Sequence, residues 1–150
     1  TGSTNNPIIY DKDYEFNLGE SITLKKGKDV ALIASGTMVS ESLKACNELK
    51  EKNIDASVIN IHTIKPIDRK KIIEIAKTHQ LILTIEEHSI IGGLSSAVSE
   101  IISSDNFNCK QLSIGVNDMY DSGGSYEFLK KKHGLTSQNI ISKVFENLKN

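Results

Sequence analysis

The chain has 150 residues, 38% hydrophobic and 25% charged, enough for one domain with a proper core and too few for two. Its 18 basic side chains nearly balance 19 acidic ones, for a formal net charge of -1, which gives no electrostatic footing for nucleic acid or an anionic membrane. Arg69 alone could make a planar two-pronged contact to phosphate or a base edge, which argues further against a nucleic-acid reader. No apolar run approaches the ~20 residues of a membrane span and no charged-then-apolar leader precedes the domain, so cytoplasmic residence is expected. Cys46 and Cys109, with no Cys-x-x-Cys pair, read as two reduced core thiols.

Thr1 to Asn6 holds nothing that could bury, and residues 1–13 read as a flexible lead-in or an expression remnant before a domain over 14–150. Ile22 and Leu24 alternate as in a short edge strand, closed by the turn Lys25-Lys26-Gly27-Lys28-Asp29. Val30 to Ala34 is continuously apolar, as a strand covered on both faces must be. Ser35-Gly36-Thr37 then offers N-cap chemistry to a helix that carries Val39, Leu43, Cys46 and Leu49 as far as Asn53. Ala56 to Ile61 forms the next strand, and Pro66 ends regular structure after it. Asp68 caps a helix striped by Ile72, Ile75 and Ala76, with Ile67 and Ile72 as a hydrophobic staple.

Leu81 to Ile85 is a second continuously apolar strand. Beyond it, Leu94, Ala97, Val98, Ile101 and Ile102 fall at the spacing of the strongest helix in the chain. Gln111 to Val116 alternates, which suits the opposite edge. A helix from Tyr126 to His133 carries Phe128 and Leu129 and stops at Gly134. Its lysines 130–132 read as complements to the helix dipole. Thr136 caps the last helix, where Leu135 and Ile140 form a staple and Ile141, Val144, Phe145 and Leu148 continue the apolar face. Strands alternating with helices through short connections predict a three-layer α/β/α domain with a mostly parallel sheet.

If the strands starting at Val30 and Leu81 are neighbours, Ser35, Gly36 and Thr37 meet Glu86, Glu87 and His88 at one crevice. Open α/β sheets place ligands at such carboxyl-end crevices. Gly92 and Gly93 add amides at a helix start that can receive a carboxylate or phosphate. The candidate site for an anion or regulatory ligand is therefore Ser35, Gly36, Thr37, Glu87, His88, Gly92 and Gly93. The ordinary roles of these residues are capping and close helix packing. Phosphate-loop, dinucleotide, G-x-S-x-G and paired-histidine metal motifs are missing from the sequence.

Four segments, in order, resemble the C-terminal domain of transketolase-type enzymes. They are the run from Gly27 through Ser35-Gly36-Thr37 to Val39, the run from Val58 to Asp68, Glu86-Glu87-His88-Ser89-Ile90-Ile91-Gly92-Gly93-Leu94, and His133-Gly134-Leu135-Thr136. The resemblance covers about residues 14 to 148. It implies a five-stranded mixed sheet in the order 1-3-2-4-5 with strand 1 antiparallel. It also implies membership of an enzyme that moves two-carbon ketol units between sugar phosphates with thiamine diphosphate and a divalent metal. In that family the cofactor lies between pyrimidine-binding and diphosphate-binding domains or subunits, usually across a homodimer. This chain resembles neither, and the family's Gly-Asp-Gly cofactor motif does not occur in it. No catalytic, cofactor-binding or metal-binding residue is therefore carried over.

What the resemblance implies for this piece is assembly with those partners, alone inactive, as part of a longer or split transketolase. Deoxyxylulose phosphate synthases and pyruvate-type dehydrogenase β subunits end in a similar domain, so they stand as alternatives. A free-standing small-ligand-binding module is the alternative from another class.

Overall fold

The computed structural model describes residues 7–10, 14–120 and 123–148. Ten elements follow one another: β1 (Ile22–Lys25), β2 (Val30–Ala34), α1 (Met38–Glu51), β3 (Ala56–Asn60), α2 (Arg69–Thr78), β4 (Leu81–Ser89), α3 (Leu94–Ile102), β5 (Lys110–Val116), α4 (Tyr126–Lys132) and α5 (Ser137–Asn147). The five strands form one sheet in the order β1-β3-β2-β4-β5. β1 runs antiparallel to β3 and every other pairing is parallel. The expected order and the antiparallel first strand are both observed.

Strand composition explains the order. β2 is wholly buried and sits between β3 and β4, with Val30 paired to Ala56 on one side and to Leu81 on the other. Its side chains alternate between two cores. Val30, Leu32 and Ala34 join Leu81, Leu83 and Ile85 beneath α1 and α5. Ala31 and Ile33 join Ile82, Ile59 and the apolar faces of α2 and α3. Continuous apolar sequence is what burial on both faces requires, and it yields the helix-sheet-helix layering.

Several local expectations are corrected. β4 continues past Ile85 to Ser89 because Ser89 pairs with Val116 after a register irregularity and the Ile90 amide donates to the Val116 carbonyl at 3.0 Å. α1 stops at Glu51, since Asn53 turns the chain in the left-handed region at φ 61°, where asparagine is tolerated better than most residues. Thr37 does not cap α1 with its side chain. Phe128 and Phe145 are exposed, at 54% and 48%, because α4 buries no residue and the Phe145 ring lies beside the Lys52 ammonium, 5.9 Å from ring centroid to Nζ. Of the two free thiols only Cys46 is buried; Cys109 lies one residue before β5 and is half-buried.

The expected caps at Asp68 and Thr136 are present, accepting from the Lys71 and Asn139 amides at 3.0 and 3.3 Å. Asp68 also accepts from the Ser21 amide and hydroxyl, each at 2.8 Å, tying the approach to β1 onto α2. Burial alone would raise its carboxyl pKa, but the bonds from Ser21 and Lys71 hold it below the ordinary 3.8.

Lysines 130–132 were expected only to complement a helix dipole. Lys130 instead reaches Glu41 of α1 at 2.9 Å, and Glu41 is 4% exposed. Glu41 also takes the Lys44 ammonium at 2.9 Å and the amide of Ser137, the first residue of α5, at 2.9 Å. It thus joins three helices at one buried carboxylate.

Of the lead-in expected over 1–13, residues 1–6 and 11–13 lie outside the described residues. Ile9 packs against the α1 side of the core, and the Tyr10 hydroxyl accepts from Asn60 Nδ2 at 2.7 Å. Among the described residues no helix is long and apolar enough to cross a membrane.

Candidate functional site

β2 and β4 are hydrogen-bonded neighbours, and their chains leave in different directions. β2 leads into α1 on one face, while β4 leads into α3 on the other. Divergence of this kind opens a crevice at the carboxyl ends of the strands. A cleft of about 460 Å³ lies there, lined by Ser35, Gly36, Thr37, Ile64, Glu86, Glu87, His88, Gly92 and Gly93. All seven residues singled out from the sequence are brought together, although some are more than 50 positions apart.

Strand alternation sends the two adjacent glutamates to opposite sides. Glu86, 1% exposed, turns toward α3 and accepts from the Leu94 amide at 2.7 Å and the Ser95 amide at 2.8 Å. These amides open α3 directly after Gly92 and Gly93, the two residues whose amides were expected to receive a ligand. The Gly92 amide is also engaged, donating to Ser96 Oγ at 2.8 Å. The amide seat at α3 is thus occupied by the protein's own carboxylate. Gly93 is required by this arrangement: a Cβ there would strike the Glu86 carboxylate and come within 2.8 Å of the Ser89 carbonyl.

Glu87 is exposed and faces α1 and α4. Its Oε2 accepts from the Thr37 hydroxyl and, at 3.1 Å, from the Tyr126 hydroxyl. Thr37 is spent on this contact rather than on the helix end. Burial, together with the Glu87 charge, pushes the Tyr126 phenol above its ordinary 10.0 despite the opposing bond from Thr37, so it stays a proton donor at neutral pH. His88 is exposed and places Nδ1 3.1 Å from the Ser89 carbonyl. Gly36, at φ 57°, makes a backbone turn that side-chain-bearing residues rarely adopt.

Glu86 was expected at the crevice but not as the cap of α3, and two further participants, Tyr126 and Ile64, were not legible from their positions. Glu86 had a sequence signal in retrospect, since a helix opening on glycine needs a carboxylate from elsewhere to cap it. Tyr126, 39 positions from Glu87, and Ile64 carried none.

Fold and site together define a three-layer α/β domain whose switch-point cleft is acidic and internally capped. The model of the transketolase C-terminal domain matches residues 19–140, and the chain belongs to that family. It is 40% identical over 144 residues to a Methanocaldococcus jannaschii protein provisionally named a transketolase C-terminal section, covering 95% of this chain and 45% of that protein. It is 38% identical over 132 residues to a 6-deoxy-6-sulfo-D-fructose transketolase subunit of a Clostridium species, covering 88% and 41%. A solved structure described as a split-gene transketolase, inactive beta4 tetramer, superposes with a TM-score of 0.87 at 37% identity, covering 95% of this chain and 46% of that one. The chain spans less than half the length of these relatives.

Proposed function

We propose that this chain acts as the C-terminal domain of a transketolase-type, thiamine diphosphate-dependent transferase, supporting its assembly and supplying no residue to ketol transfer. The observation that carries this reading is the Glu86 carboxylate seated on the Leu94 and Ser95 amides. A diphosphate needs unengaged amides or cations, whereas the Gly92, Leu94 and Ser95 amides are engaged and the cleft wall carries the carboxylates of Glu86 and Glu87 with no lysine or arginine. The cofactor therefore does not fit here, and ketol chemistry falls to pyrimidine- and diphosphate-binding domains or subunits elsewhere in a homodimeric assembly.

For Ser35, Gly36, Thr37, Glu87, His88, Gly92 and Gly93 the proposal is a regulatory small-ligand site that favours uncharged, hydroxyl-rich molecules over phosphates. Supporting it are the gathering of all seven around one cleft and the acidity of that cleft.

Calorimetry of the chain with thiamine diphosphate and magnesium, paired with a turnover assay on xylulose 5-phosphate, tests the main reading. No binding and no turnover are expected. Stoichiometric cofactor binding would overturn it.

A further inference from the structure

We infer that the groove at the amino ends of the strands, between β1, β3 and α2, is a binding site for a phosphomonoester, with Lys26, Lys28 and Lys71 as its cationic ligands. The groove has a volume of about 320 Å³, within the range of small-molecule sites. It lies at the opposite end of the sheet from the acidic cleft, and charge separates the two. Glu86 and Glu87 line the cleft, which has no lysine or arginine in its wall; the groove has three lysines and one carboxylate, Glu74. Glu74 is engaged by Lys71 at 2.7 Å. The Lys28 amide donates to the Asp55 carbonyl at 3.0 Å, while the Lys26 and Lys28 ammonium groups make no hydrogen bond or ion pair among the described residues.

The turn that carries these two lysines is pinned. The Gly27 amide donates to Ser57 Oγ at 2.8 Å, and its carbonyl accepts from the Ser57 hydroxyl at 2.9 Å. That carbonyl also lies 3.2 Å from His79 Nε2. Ser57 and His79 are 5% and 9% exposed, so the anchor is built into the core. A Cβ at Gly27 would fall 2.6 Å from the Asp55 carbonyl, which leaves glycine as the residue that allows this close approach. A fixed turn holds its ammonium groups near the groove with less ordering required on binding.

The negative end of α2 borders the groove, and two of its last carbonyls carry added donors. The Glu74 carbonyl accepts from the Thr78 hydroxyl at 2.9 Å and the Ile75 carbonyl from the His79 amide at 2.9 Å. The nearby Asp29 carboxylate is taken by the Asp55 amide at 2.7 Å and lines a separate recess. Three lysines against one engaged carboxylate set the sign of the groove. A compact dianion matches several point-charge ammoniums, and the groove has room for an attached organic group.

Amide NMR of the ¹⁵N-labelled chain tests this with inorganic phosphate, ribose 5-phosphate and ribose. Saturable shifts confined to Gly27, Lys28, Ser57, Thr78 and His79 are expected with both phosphates and not with ribose. Tighter binding of ribose 5-phosphate than of inorganic phosphate is expected, and equal binding would overturn the phosphomonoester in favour of the free anion. The K26Q/K28Q variant, exposed and expected to keep its dispersed spectrum, should bind at least ~10-fold more weakly, equivalent to about 1.4 kcal/mol. K71Q should weaken binding as well, while E87Q, at the far cleft, should leave it unchanged. The inference is overturned by an absence of saturation, by shifts spread over surface lysines in general, or by variants that bind like the parent chain.

Discussion

Removing the Glu41 carboxylate puts the three-helix junction to a direct test. In Glu41→Ala the Ser137 amide, bonded at 2.9 Å, is left buried without a partner, which costs about 1–3 kcal/mol. The Lys130 ammonium, whose side chain is 17% exposed, loses its carboxylate for roughly another 1–2 kcal/mol, less than a fully buried pair because water still reaches it. Lys44, 59% exposed on its side chain, adds little. The sum is about 3 kcal/mol, or a fall in Tm of roughly 6–12 °C for a chain of this size.

Acidity supplies a second readout. Burial would raise the Glu41 pKa, but bonds from Lys44, Lys130 and the Ser137 amide outweigh it and hold the value below 4.5. A carboxyl whose folded pKa is depressed stabilises the fold above its unfolded pKa and loses that contribution as pH falls through the folded value. Lys130 is shifted the other way: burial lowers its pKa, the Glu41 contacts outweigh burial, and the net value lies above 10.5. Its contribution is complete below that pH and is lost as pH rises through the folded value. Urea titrations of Glu41→Gln against the parent chain should therefore show a constant deficit across neutral pH that narrows below about pH 4.5. A loss under ~1 kcal/mol in Glu41→Ala, or a deficit that ignores acid, would refute the junction.

Glu86→Ala should expose its dependence on two amides at once, losing about 2–4 kcal/mol in chemical denaturation; a cost below ~1 kcal/mol would mean that water replaces the cap. Gly93→Ala should destabilise by at least ~2 kcal/mol, because the new Cβ meets both Glu86 and the Ser89 carbonyl, and unchanged melting would contradict the contact. Asp68→Ala should cost about 1–2 kcal/mol through loss of the α2 cap. Since its folded pKa is depressed, that gap should close in acid below about pH 3.8; a gap that persists there would point to packing instead. Tyr126→Phe should change global stability by less than ~1 kcal/mol, as expected for an exposed hydrogen bond, yet accelerate amide exchange in α4, which buries no residue. Unaltered exchange would show that Glu87 does not hold that helix.

The sheet was legible in the amino-acid sequence because burial writes itself into composition. Val30–Ala34 and Leu81–Ile85 are apolar at every or almost every position, a pattern that only a strand covered on both faces requires, while Ile22–Leu24 and Gln111–Val116 alternate as edges do. Those patterns, with the glycines at 36 and 92–93 and the familiar order of segments, determined the layers and the place of the cleft. What tertiary structure alone decided was where the charges point. Glu86 and Glu87 are adjacent and identical in the sequence, yet strand alternation gives one to a buried helix cap and the other to Thr37 and Tyr126. Lys130 and Glu41, 89 positions apart, pair only because α1, α4 and α5 converge. Such contacts depend on distances set by the whole fold, and local spacing holds no record of them.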